Sequence, residues 1–366
     1  MRILWLTNIP SPYRVDFFNE LGKLCDLTVL FEKRAASDRD DSWKNFDTKN
    51  FSSIFPAGIP YGIAEAFCPG IIRHLSLKKY DRIVVTNYAN LTGMLAVAVM
   101  KAKRIPYIIE SDGAFSGSGK GLKEAVKRWL LEKAALCFST SDVHDDYYKK
   151  YGVSPDRIVR YPFTSLHGAD VLKEPVSKEE KSALREKLGI SEPEVIIAVG
   201  QFIPRKGFDI LIEAMAKTDL SVGCYIVGGV PTDEYIQQVS SLGLSDRVHF
   251  VGFKSKHELS EYYMAADLFV LPTREDIWGL VVNEAMAKGL PVITTDRCIA
   301  GLALVNSSKL GKIVPAEDAG AIADAIKEIL LALNTEMSKD VLKAISAYTF
   351  EKMAEVHIEV LKEKQK

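Results

Sequence analysis

The chain has 366 residues, of which 47% are hydrophobic and 26% charged, with 47 Lys plus Arg against 48 Asp plus Glu. This length predicts two domains, and the average composition excludes a disordered chain, a collagen-like repeat and a small disulfide scaffold. The near-neutral total hides a split, because residues 71–130 carry 11 basic side chains and only 4 acidic ones. This basic stretch indicates an anionic partner for the first half of the chain.

The five cysteines are scattered, odd in number and never spaced as C-x-x-C. They predict reduced, buried thiols, with neither a disulfide framework nor a zinc site. No signal peptide is expected, because the apolar run after Arg2 has only four residues and no small-residue cleavage site follows it. No window approaches the length of about 18 apolar residues that a transmembrane helix needs, so we expect a cytoplasmic protein.

Short apolar runs alternate with helical patterns along the first half of the chain. The predicted strands are residues 3–6, 26–31, 82–86, 107–110, 136–139 and 158–161. Helices are predicted between them at 15–24 and 122–135. The alternation predicts a parallel, doubly wound α/β sheet, which we assign to a first domain over residues 1–168. A polar, charged connection follows, with a short helix over residues 178–188 that ends at Gly189.

The same alternation then starts again. The predicted strands of the second half are residues 195–199, 224–227, 248–251, 268–271 and 291–294. Helices follow at 319–333, 338–346 and 351–364. The second domain is therefore placed at residues 169–345, and a terminal helix at 346–366 is long enough to pack back on the first domain. Ligands of such folds bind beyond the carboxyl ends of the strands, so residues directly after strands are the candidate site residues.

The first candidate motif spans residues 199–212, where a strand leads through Arg205, Lys206 and Gly207 into a helix that opens near Phe208. Two adjacent cations and the backbone N–H groups of a helix start form an anion site suited to a diphosphate. The alternative is a solvated turn that carries two surface cations.

The second candidate motif spans residues 271–293, where a buried strand is followed by an acidic loop and a helix. Gly279 permits close backbone approach at the start of that helix. Asp276 and Glu284 lie about two helical turns apart, and carboxylates there accept hydrogen bonds from the hydroxyls of a ribose or a hexose. The alternative is that Asp276 caps the helix and Glu284 is a solvated helix residue.

Together the two motifs resemble the sugar-nucleotide site of retaining GT-B glycosyltransferases, family 4 of the glycosyltransferases. The resemblance covers nearly the whole second half, including residues 258–273, and the opening at residues 8–21 resembles bacterial surface-polysaccharide members. It implies an α/β fold of GT-B type, with two Rossmann-like domains that face each other across a cleft and a C-terminal helix that crosses back. The nucleotide-sugar donor is expected in the second domain and the acceptor in the first.

The resemblance implies that Lys206 and Arg205 bind the donor diphosphate. Gln201 stands where the family often has an arginine, so one cation is missing, and we expect Arg205 to compensate. The expected backbone partners of the diphosphate are the amides of Gly279, Leu280 and Val281.

The same resemblance assigns the ribose hydroxyls of the donor to Glu284. Asp276 occupies the first carboxylate position by its spacing from Gly279, and it is expected to bind the hydroxyls of the donor sugar. Glu275 matches the residue type of the family but not the spacing, so Asp276 is preferred and Glu275 stays an alternative.

On the acceptor side, Asp112 follows a predicted strand in the region where many relatives place an active-site histidine. It is the candidate for contacting the acceptor hydroxyl or the transferred sugar, and the alternative is a turn-forming Asp-Gly pair. We count Asp112, Asp276 and Lys206 as the candidate catalytic residues. Further acceptor-side candidates are Ser11, Arg14 and His167.

Residues 120–133 predict a basic amphipathic helix. Leu122, Val126, Trp129 and Leu130 fall on one helical face, and most of the lysines fall elsewhere. One interpretation is a surface helix packed on the core. The other is an interfacial helix attracted to anionic lipid, where each basic group contributes ~1 kcal/mol.

The sequence therefore predicts a glycosyltransferase on the inner face of the cell membrane that moves a hexose-type sugar, with retention, from a nucleotide-diphosphate donor to a lipid-linked saccharide. No cofactor or metal is expected, since no Asp-x-Asp pair follows a strand at the usual place, and no nucleic-acid partner is expected. Two alternatives stay open. One is a sugar-nucleotide isomerase or epimerase of similar fold, and the other is a non-catalytic nucleotide-sugar-binding module, which Gln201 and Asp276 motivate.

Overall fold

The computed structural model describes residues 1–36, 46–117, 119–218 and 221–363. The chain divides into two compact units. The first unit is Met1–Thr164 together with Tyr348–Lys366, and the second unit is Ser165–Ala347. Each boundary lies a few residues from the limits of 168 and 345 that the sequence predicts.

The first unit is a Rossmann-like α/β domain. Its strands are β1 (Arg2–Thr7), β2 (Asp26–Phe31), β3 (Ser52–Ile54), β4 (Ile59–Tyr61), β5 (Glu65–Phe67), β6 (Arg82–Val85), β7 (Ile108–Glu110), β8 (Leu136–Ser139) and β9 (Ile158–Arg160). Its first helices are α1 (Pro12–Gly22), α2 (Leu91–Ala102), α3 (Leu122–Leu131) and α4 (Asp142–Lys150). Among the described residues, seven strands form a parallel sheet of order β3-β2-β1-β6-β7-β8-β9.

All six strands predicted in this half are confirmed, and most of them are runs of residues that the sheet buries on both faces, whereas β9 at the end of the sheet is partly exposed. In β1, Ile3, Leu4 and Trp5 are completely buried. Three strands were not predicted: β3, β4 and β5 are three residues long and partly exposed, and β4 pairs only with β5, as an antiparallel hairpin. Strands of three residues are too short to show a hydrophobic alternation.

The second unit is built in the same way. Its strands are β10 (Glu194–Val199), β11 (Val222–Val227), β12 (Val248–Val251), β13 (Leu268–Leu271), β14 (Val292–Thr295) and β15 (Gly311–Val314). Its helices are α5 (Lys178–Leu188), α6 (Phe208–Ala216), α7 (Asp233–Ser241), α8 (Lys256–Ala265), α9 (Leu280–Met286), α10 (Ile299–Leu304), α11 (Ala319–Ala332) and α12 (Thr335–Ile345). In the described part of the chain the strands form a parallel sheet of order β12-β11-β10-β13-β14-β15.

Strand order reverses beside the first strand of each sheet, between β1 and β6 and between β10 and β13. This reversal is the point at which doubly wound sheets bind ligands. The five strands predicted in the second half are confirmed to within two residues at each end. A sixth strand of this unit, β15, is not predicted by the sequence, because Gly311 and Lys312 interrupt its apolar pattern.

The last helix, α13 (Phe350–Lys362), belongs to the first unit, where it packs against α1. The His357 ring lies among aromatic side chains, 4.1 Å from the ring of Phe138, 4.6 Å from Tyr161 and 4.9 Å from Phe17, measured between centroids. Nδ1 of His357 bonds to the carbonyl oxygen of Met353 at 2.7 Å, and burial lowers the pKa of His357 to about 3. The ring is therefore neutral and serves as part of the aromatic core.

The cysteines and the apolar length of the helices were two further features considered in the sequence. All five cysteines are unpaired, and four of them are buried. Among the helices of the described residues, none combines the length and the apolar character that crossing a membrane requires.

The buried carboxyl group of Glu32 connects the β4–β5 hairpin to the sheet of the first unit by a hydrogen bond. Glu32 follows β2 and is only 7% exposed. Its carboxyl oxygens accept hydrogen bonds from Ala66 N at 3.1 Å and from Asn90 Nδ2 at 2.8 Å. Burial raises the pKa of Glu32 to about 7, and these two hydrogen bonds oppose the rise.

We expect Glu32 to make the protein less stable as the pH rises. Its folded pKa lies above that of the unfolded chain, so the folded state binds more protons between about pH 4.5 and 7. The free energy of unfolding should fall by up to about 3 kcal/mol across that window, and level off above it. Denaturant unfolding of the wild type and of Glu32→Gln at pH 5 and pH 8 measures this. Equal pH dependence in the two proteins would contradict the expectation.

Candidate active site

The predicted donor-site residues lie on two loops of the second unit, beyond the carboxyl ends of β10 and β13. After β10, the chain passes Gly200 and Gln201, makes a short 3-10 turn over Pro204–Lys206 and enters α6. After β13, the chain runs through Asp276 to Gly279 and enters α9. The two strands are hydrogen-bonded neighbours, so both loops start from the reversal point of the sheet.

The two loops are in direct backbone contact at Gly207. This residue has φ +69°, and a Cβ atom there would lie 2.1 Å from the carbonyl oxygen of Pro272. Next to this contact, the carbonyl oxygen of Arg205 accepts hydrogen bonds from Thr273 Oγ1 at 2.9 Å and from Arg274 N at 2.8 Å. Only glycine meets both the backbone conformation and the close approach.

The contact brings Lys206 and Asp276 together as an ion pair, with 2.5 Å between Nζ and Oδ2. Their side chains are only 12% and 13% exposed. The Lys206 stem lies over Gly200, 3.3 Å from the position of an added Cβ atom. Arg205 is more exposed, lies 3.4 Å from Asp276 Oδ1 and donates to the carbonyl oxygen of Glu275 at 2.7 Å. The two cations predicted to bind the diphosphate thus surround the carboxylate predicted to bind the sugar.

Asp276 and Glu275 have different surroundings in the structure. Glu275 is half exposed and pairs with Arg297, 3.1 Å from Nη2. The backbone of Asp276 is held on both sides, since its N–H donates to the Arg297 carbonyl oxygen at 2.8 Å and its carbonyl oxygen accepts from Ile299 N at 3.2 Å. Asp276 therefore presents its side chain to Lys206 from a fixed backbone.

The helix start predicted behind the diphosphate is present. Gly279 has φ +100°, and a Cβ atom there would lie 3.0 Å from Cys298 Sγ. Leu280 and Val281 open α9, where helix geometry gives the first backbone N–H groups no acceptor within the helix. Gln201, at the position of the missing arginine, is exposed.

Glu284 lies on the second turn of α9 and is partly buried. Its carboxylate accepts hydrogen bonds from Ser165 Oγ at 3.2 Å and from Tyr263 OH at 3.3 Å. Burial raises the pKa of Glu284, and the two hydroxyl groups oppose the rise. Each carboxylate oxygen has a second lone pair, so Glu284 keeps acceptor capacity for further hydrogen-bond donors.

In the first unit, the structure brings together two of the predicted residues, Arg14 and Asp112. Arg14 is 2% exposed, and its guanidinium pairs with Glu110 Oε1 at 2.8 Å and with Asp112 Oδ1. Tyr13 OH donates to the second carboxylate oxygen of Asp112 at 2.6 Å. Desolvation raises the pKa of Asp112, with a further rise from the negative charge of Glu110, while Arg14 opposes the change.

Sequence reasoning missed Glu110, which connects this cluster to the sheet. Besides Arg14, Glu110 accepts hydrogen bonds from Tyr161 OH at 2.6 Å and from Thr86 Oγ1 at 3.0 Å. It is completely buried at the end of β7. A glutamate that ends an otherwise apolar buried strand was the signal in the sequence, because such a charge needs a partner.

The other two acceptor-side candidates have structural roles in the described contacts. Ser11 is buried at the start of α1, and its carbonyl oxygen accepts from the backbone N–H groups of Arg14 and Val15. His167 lies in the second unit, two residues after its start at Ser165. Its backbone N–H donates to Asp170 Oδ2 at 2.8 Å, in a capping box that opens a 3-10 turn.

The apolar face predicted for the basic helix is divided in the structure. Leu130 is buried and Val126 packs against the core of the first unit. Leu122 and Trp129, two turns apart, are 82% and 43% exposed. The four apolar side chains of α3 therefore differ in burial, with Val126 and Leu130 against the core and Leu122 and Trp129 exposed.

Comparison with known proteins assigns both halves of the chain. Residues 180–344 match the family model described as "Glycosyl transferases group 1", and residues 52–164 match "Glycosyl transferase 4-like domain". This chain belongs to the GT-B glycosyltransferases. The predicted family and fold are confirmed.

Solved structures share this GT-B fold over the full length of the chain. The Anabaena protein HepE, crystallised with UDP, superimposes with a TM-score of 0.79 at 20% identity, covering 99% of each chain. Sucrose-phosphate synthase from Thermosynechococcus elongatus superimposes with a TM-score of 0.73 at 21% identity, covering 98% of each chain. At these identities the similarity shows the fold.

Curated relatives match shorter regions of this GT-B chain. D-inositol 3-phosphate glycosyltransferase of Nocardia farcinica is 30% identical over 217 residues, which cover 56% of this chain and 46% of the relative. Mannosylfructose-phosphate synthase of Agrobacterium fabrum is 35% identical over 133 residues, which cover 33% of this chain and 29% of the relative. The chain therefore spans less than half the length of these curated relatives.

The contact at Gly207 predicts an unusually costly substitution. Gly207 and Gly189 share nearly the same backbone, with φ +69° and +70°, but no atom lies within 4 Å of a Cβ added at Gly189. Gly189→Ala should lower the free energy of unfolding by about 1 kcal/mol, the cost of a left-handed residue. Gly207→Ala should cost about 3 kcal/mol or more, because Pro272 must move. Urea unfolding of both variants measures the difference, and equal losses would show that the loops separate freely.

Proposed function

We propose that the chain transfers a hexose-type sugar from a nucleotide-diphosphate donor to an acceptor hydroxyl. The observation that carries the proposal is the ion pair of Lys206 and Asp276 at the reversal point of the second sheet, with Arg205 beside it. Membership of the GT-B glycosyltransferases supports sugar transfer. HepE, crystallised with UDP and with UDP-glucose, supports a nucleotide-sugar donor.

Charge on the leaving diphosphate is the main demand of this reaction, because it grows as the anomeric C–O bond breaks. Lys206 has three N–H donors, so it can keep its bond to Asp276 and donate another to a phosphate oxygen. Arg205 and the first amides of α9 add positive potential at the same place. We propose that these groups stabilise the leaving group without a metal ion.

The two carboxylates are proposed to orient the donor. Asp276 would accept a hydrogen bond from a hydroxyl of the donor sugar, while Lys206 holds both the carboxylate and the diphosphate. Glu284 would accept from the ribose hydroxyls through the acceptor capacity that Ser165 and Tyr263 leave on its carboxylate. Sugar and ribose are thus fixed on either side of the bond that breaks.

On the acceptor side, Asp112 is proposed to contact the acceptor hydroxyl or the transferred sugar. The Asp112 side chain is 34% exposed to solvent, whereas the Arg14 side chain is only 2% exposed. Arg14 therefore has no surface left for an acceptor, and we propose that it orients Asp112. We further propose transfer with retention, in which a leaving phosphate oxygen takes the proton of the acceptor hydroxyl on the same face of the sugar.

The proposed acceptor is a saccharide linked to lipid at the inner face of the cell membrane. The supporting feature is the outer side of α3, where exposed Leu122 and Trp129 lie beside exposed Lys123 and Arg128. The Lys101 ammonium lies 4.1 Å from the centre of the Trp129 ring. Apolar side chains flanked by cations are suited to the interface of an anionic membrane.

Removal of the Lys206 ammonium should abolish turnover. We expect Lys206→Ala to lower the rate of nucleoside-diphosphate release by about 100-fold or more, because one positioned donor to a developing charge contributes that much. The matched control is Lys181→Ala, since Lys181 forms a similar partly buried pair with Asp267, 2.8 Å away, beside the opposite end of β13. The assay uses UDP-glucose and other sugar nucleotides with membrane lipid extract.

The same assay separates the alternatives. Release that depends on the extract supports transfer. Release without any acceptor would point to hydrolysis. Conversion of the donor into another sugar nucleotide without net release would point to an isomerase, and binding without either reaction would point to a non-catalytic module. Near-normal turnover of Lys206→Ala would contradict the diphosphate assignment.

Loss of the exposed side chains of α3 should weaken membrane binding. We expect Leu122→Ala combined with Lys123→Glu to lower the partition coefficient on vesicles containing phosphatidylglycerol by about tenfold or more. Leu331→Ala is the matched control, because Leu331 is also 82% exposed but lies on α11 of the second unit. Sedimentation with these vesicles measures binding, and an unchanged partition coefficient would exclude α3 as the membrane surface.

A further inference from the structure

The guanidinium of Arg274 links three separate segments of the second unit. Arg274 Nη1 donates to the carbonyl oxygen of Pro204 at 2.6 Å. Nη1 and Nη2 bond to the two carboxylate oxygens of Asp209 at 2.9 and 2.6 Å. Nε bonds to Glu317 Oε1 at 2.8 Å. One side chain on the loop after β13 thereby holds the 3-10 turn after β10, the first turn of α6 and the loop before α11.

Arg274 also holds the same turn through its backbone. Its backbone N–H donates to the carbonyl oxygen of Arg205, while its side chain donates to the carbonyl oxygen of Pro204. Two successive carbonyl groups of the turn Pro204–Lys206 are thus bound by one residue. The side chains of Arg205 and Lys206, in contrast, extend to Asp276. The position of the turn relative to Asp276 therefore depends on residue 274.

We propose that Arg274 is a positioning residue that holds the turn of Arg205 and Lys206 at the place where it meets the donor diphosphate. This inference rests on the proposed function for its ligand. Arg274 does not itself bind the donor in this proposal, since its side-chain contacts go to Pro204, Asp209 and Glu317. It acts by fixing the backbone from which both diphosphate-binding side chains extend.

Among the side-chain contacts of Arg274, the one with Asp209 is expected to contribute most to holding the turn. Arg274 and Asp209 are 29% and 35% exposed, and the two-point contact of a guanidinium with a carboxylate is geometrically specific. Glu317 is 63% exposed, so its pair with Arg274 contributes little. Lysine cannot replace the arginine here, because an ammonium lacks the planar fork that reaches Pro204 and Asp209 together.

The experiment compares UDP with uridine, which lacks the diphosphate, by calorimetry. We expect Arg274→Gln to raise the dissociation constant of UDP by about tenfold or more and to leave that of uridine unchanged. Arg274→Lys should recover only part of the loss, and Glu317→Gln should have almost no effect. Asp209→Asn combined with Arg274→Gln should be no weaker than Arg274→Gln alone, because the two residues share one contact.

Arg185→Gln is the matched control. Arg185 also joins a carboxylate, Asp267, to the carbonyl oxygens of Ala265 and Pro193, but away from the donor loops. It should leave UDP affinity unchanged. Unchanged UDP affinity in Arg274→Gln, or equal weakening of UDP and uridine, would overturn the proposal.

Amide hydrogen exchange of residues 203–209 makes the result independent of the proposed function. Faster exchange there in Arg274→Gln supports the link even if the wild type binds no nucleoside diphosphate, an outcome that would count against the donor site alone. Unchanged exchange would overturn the positioning role. A panel of UDP, GDP and ADP on the wild type decides which of the two hypotheses has failed.

Discussion

No side-chain atom fits between the backbone of Gly207 and the carbonyl oxygen of Pro272, and the donor side of the molecule depends on that contact. Parallel neighbouring strands bring their carboxyl ends to the same edge of a sheet, but they do not make the following loops touch. Gly207 allows the two loops to touch, because it has a left-handed conformation and no side chain at the point where the two backbones meet. From this contact follow the short distance between Lys206 and Asp276 and the hydrogen bonds of Thr273 and Arg274 to the turn.

The two units are both Rossmann-like, but they place their ion pairs in different surroundings. In the second unit, Lys206 and Asp276 are partly exposed at the edge of the sheet, where a polyanionic ligand can reach the cation. In the first unit, Arg14 and Glu110 are buried and neutralise each other beneath Asp112. A buried ion pair adds little net stability compared with an apolar pair of the same shape, whereas loss of one member is costly. The cluster of the first unit is therefore best understood as a rigid support for a single carboxylate.

Local pattern was enough to predict the fold. Runs such as residues 136–139 and 268–271 are buried on both faces, and the sequence alone places them without error. Lys206, Asp276 and Glu284 are singled out by the two motifs after β10 and β13 together with their resemblance to a sugar-nucleotide site. Which of these groups pair with each other depends on contacts 70 residues apart, as for Lys206 and Asp276. Glu110 was missed for the same reason, since its partners come from α1, from the end of β6 and from Tyr161.

The discontinuity of the first unit has a consequence for synthesis on the ribosome. Translation runs from the amino end, so the second unit is complete before α13 exists. Until then Trp5, Phe17 and Phe138 lack the His357 ring that packs on them in the finished protein. The core of the first unit can therefore be completed only after the 183 residues of the second unit, Ser165–Ala347, have been added.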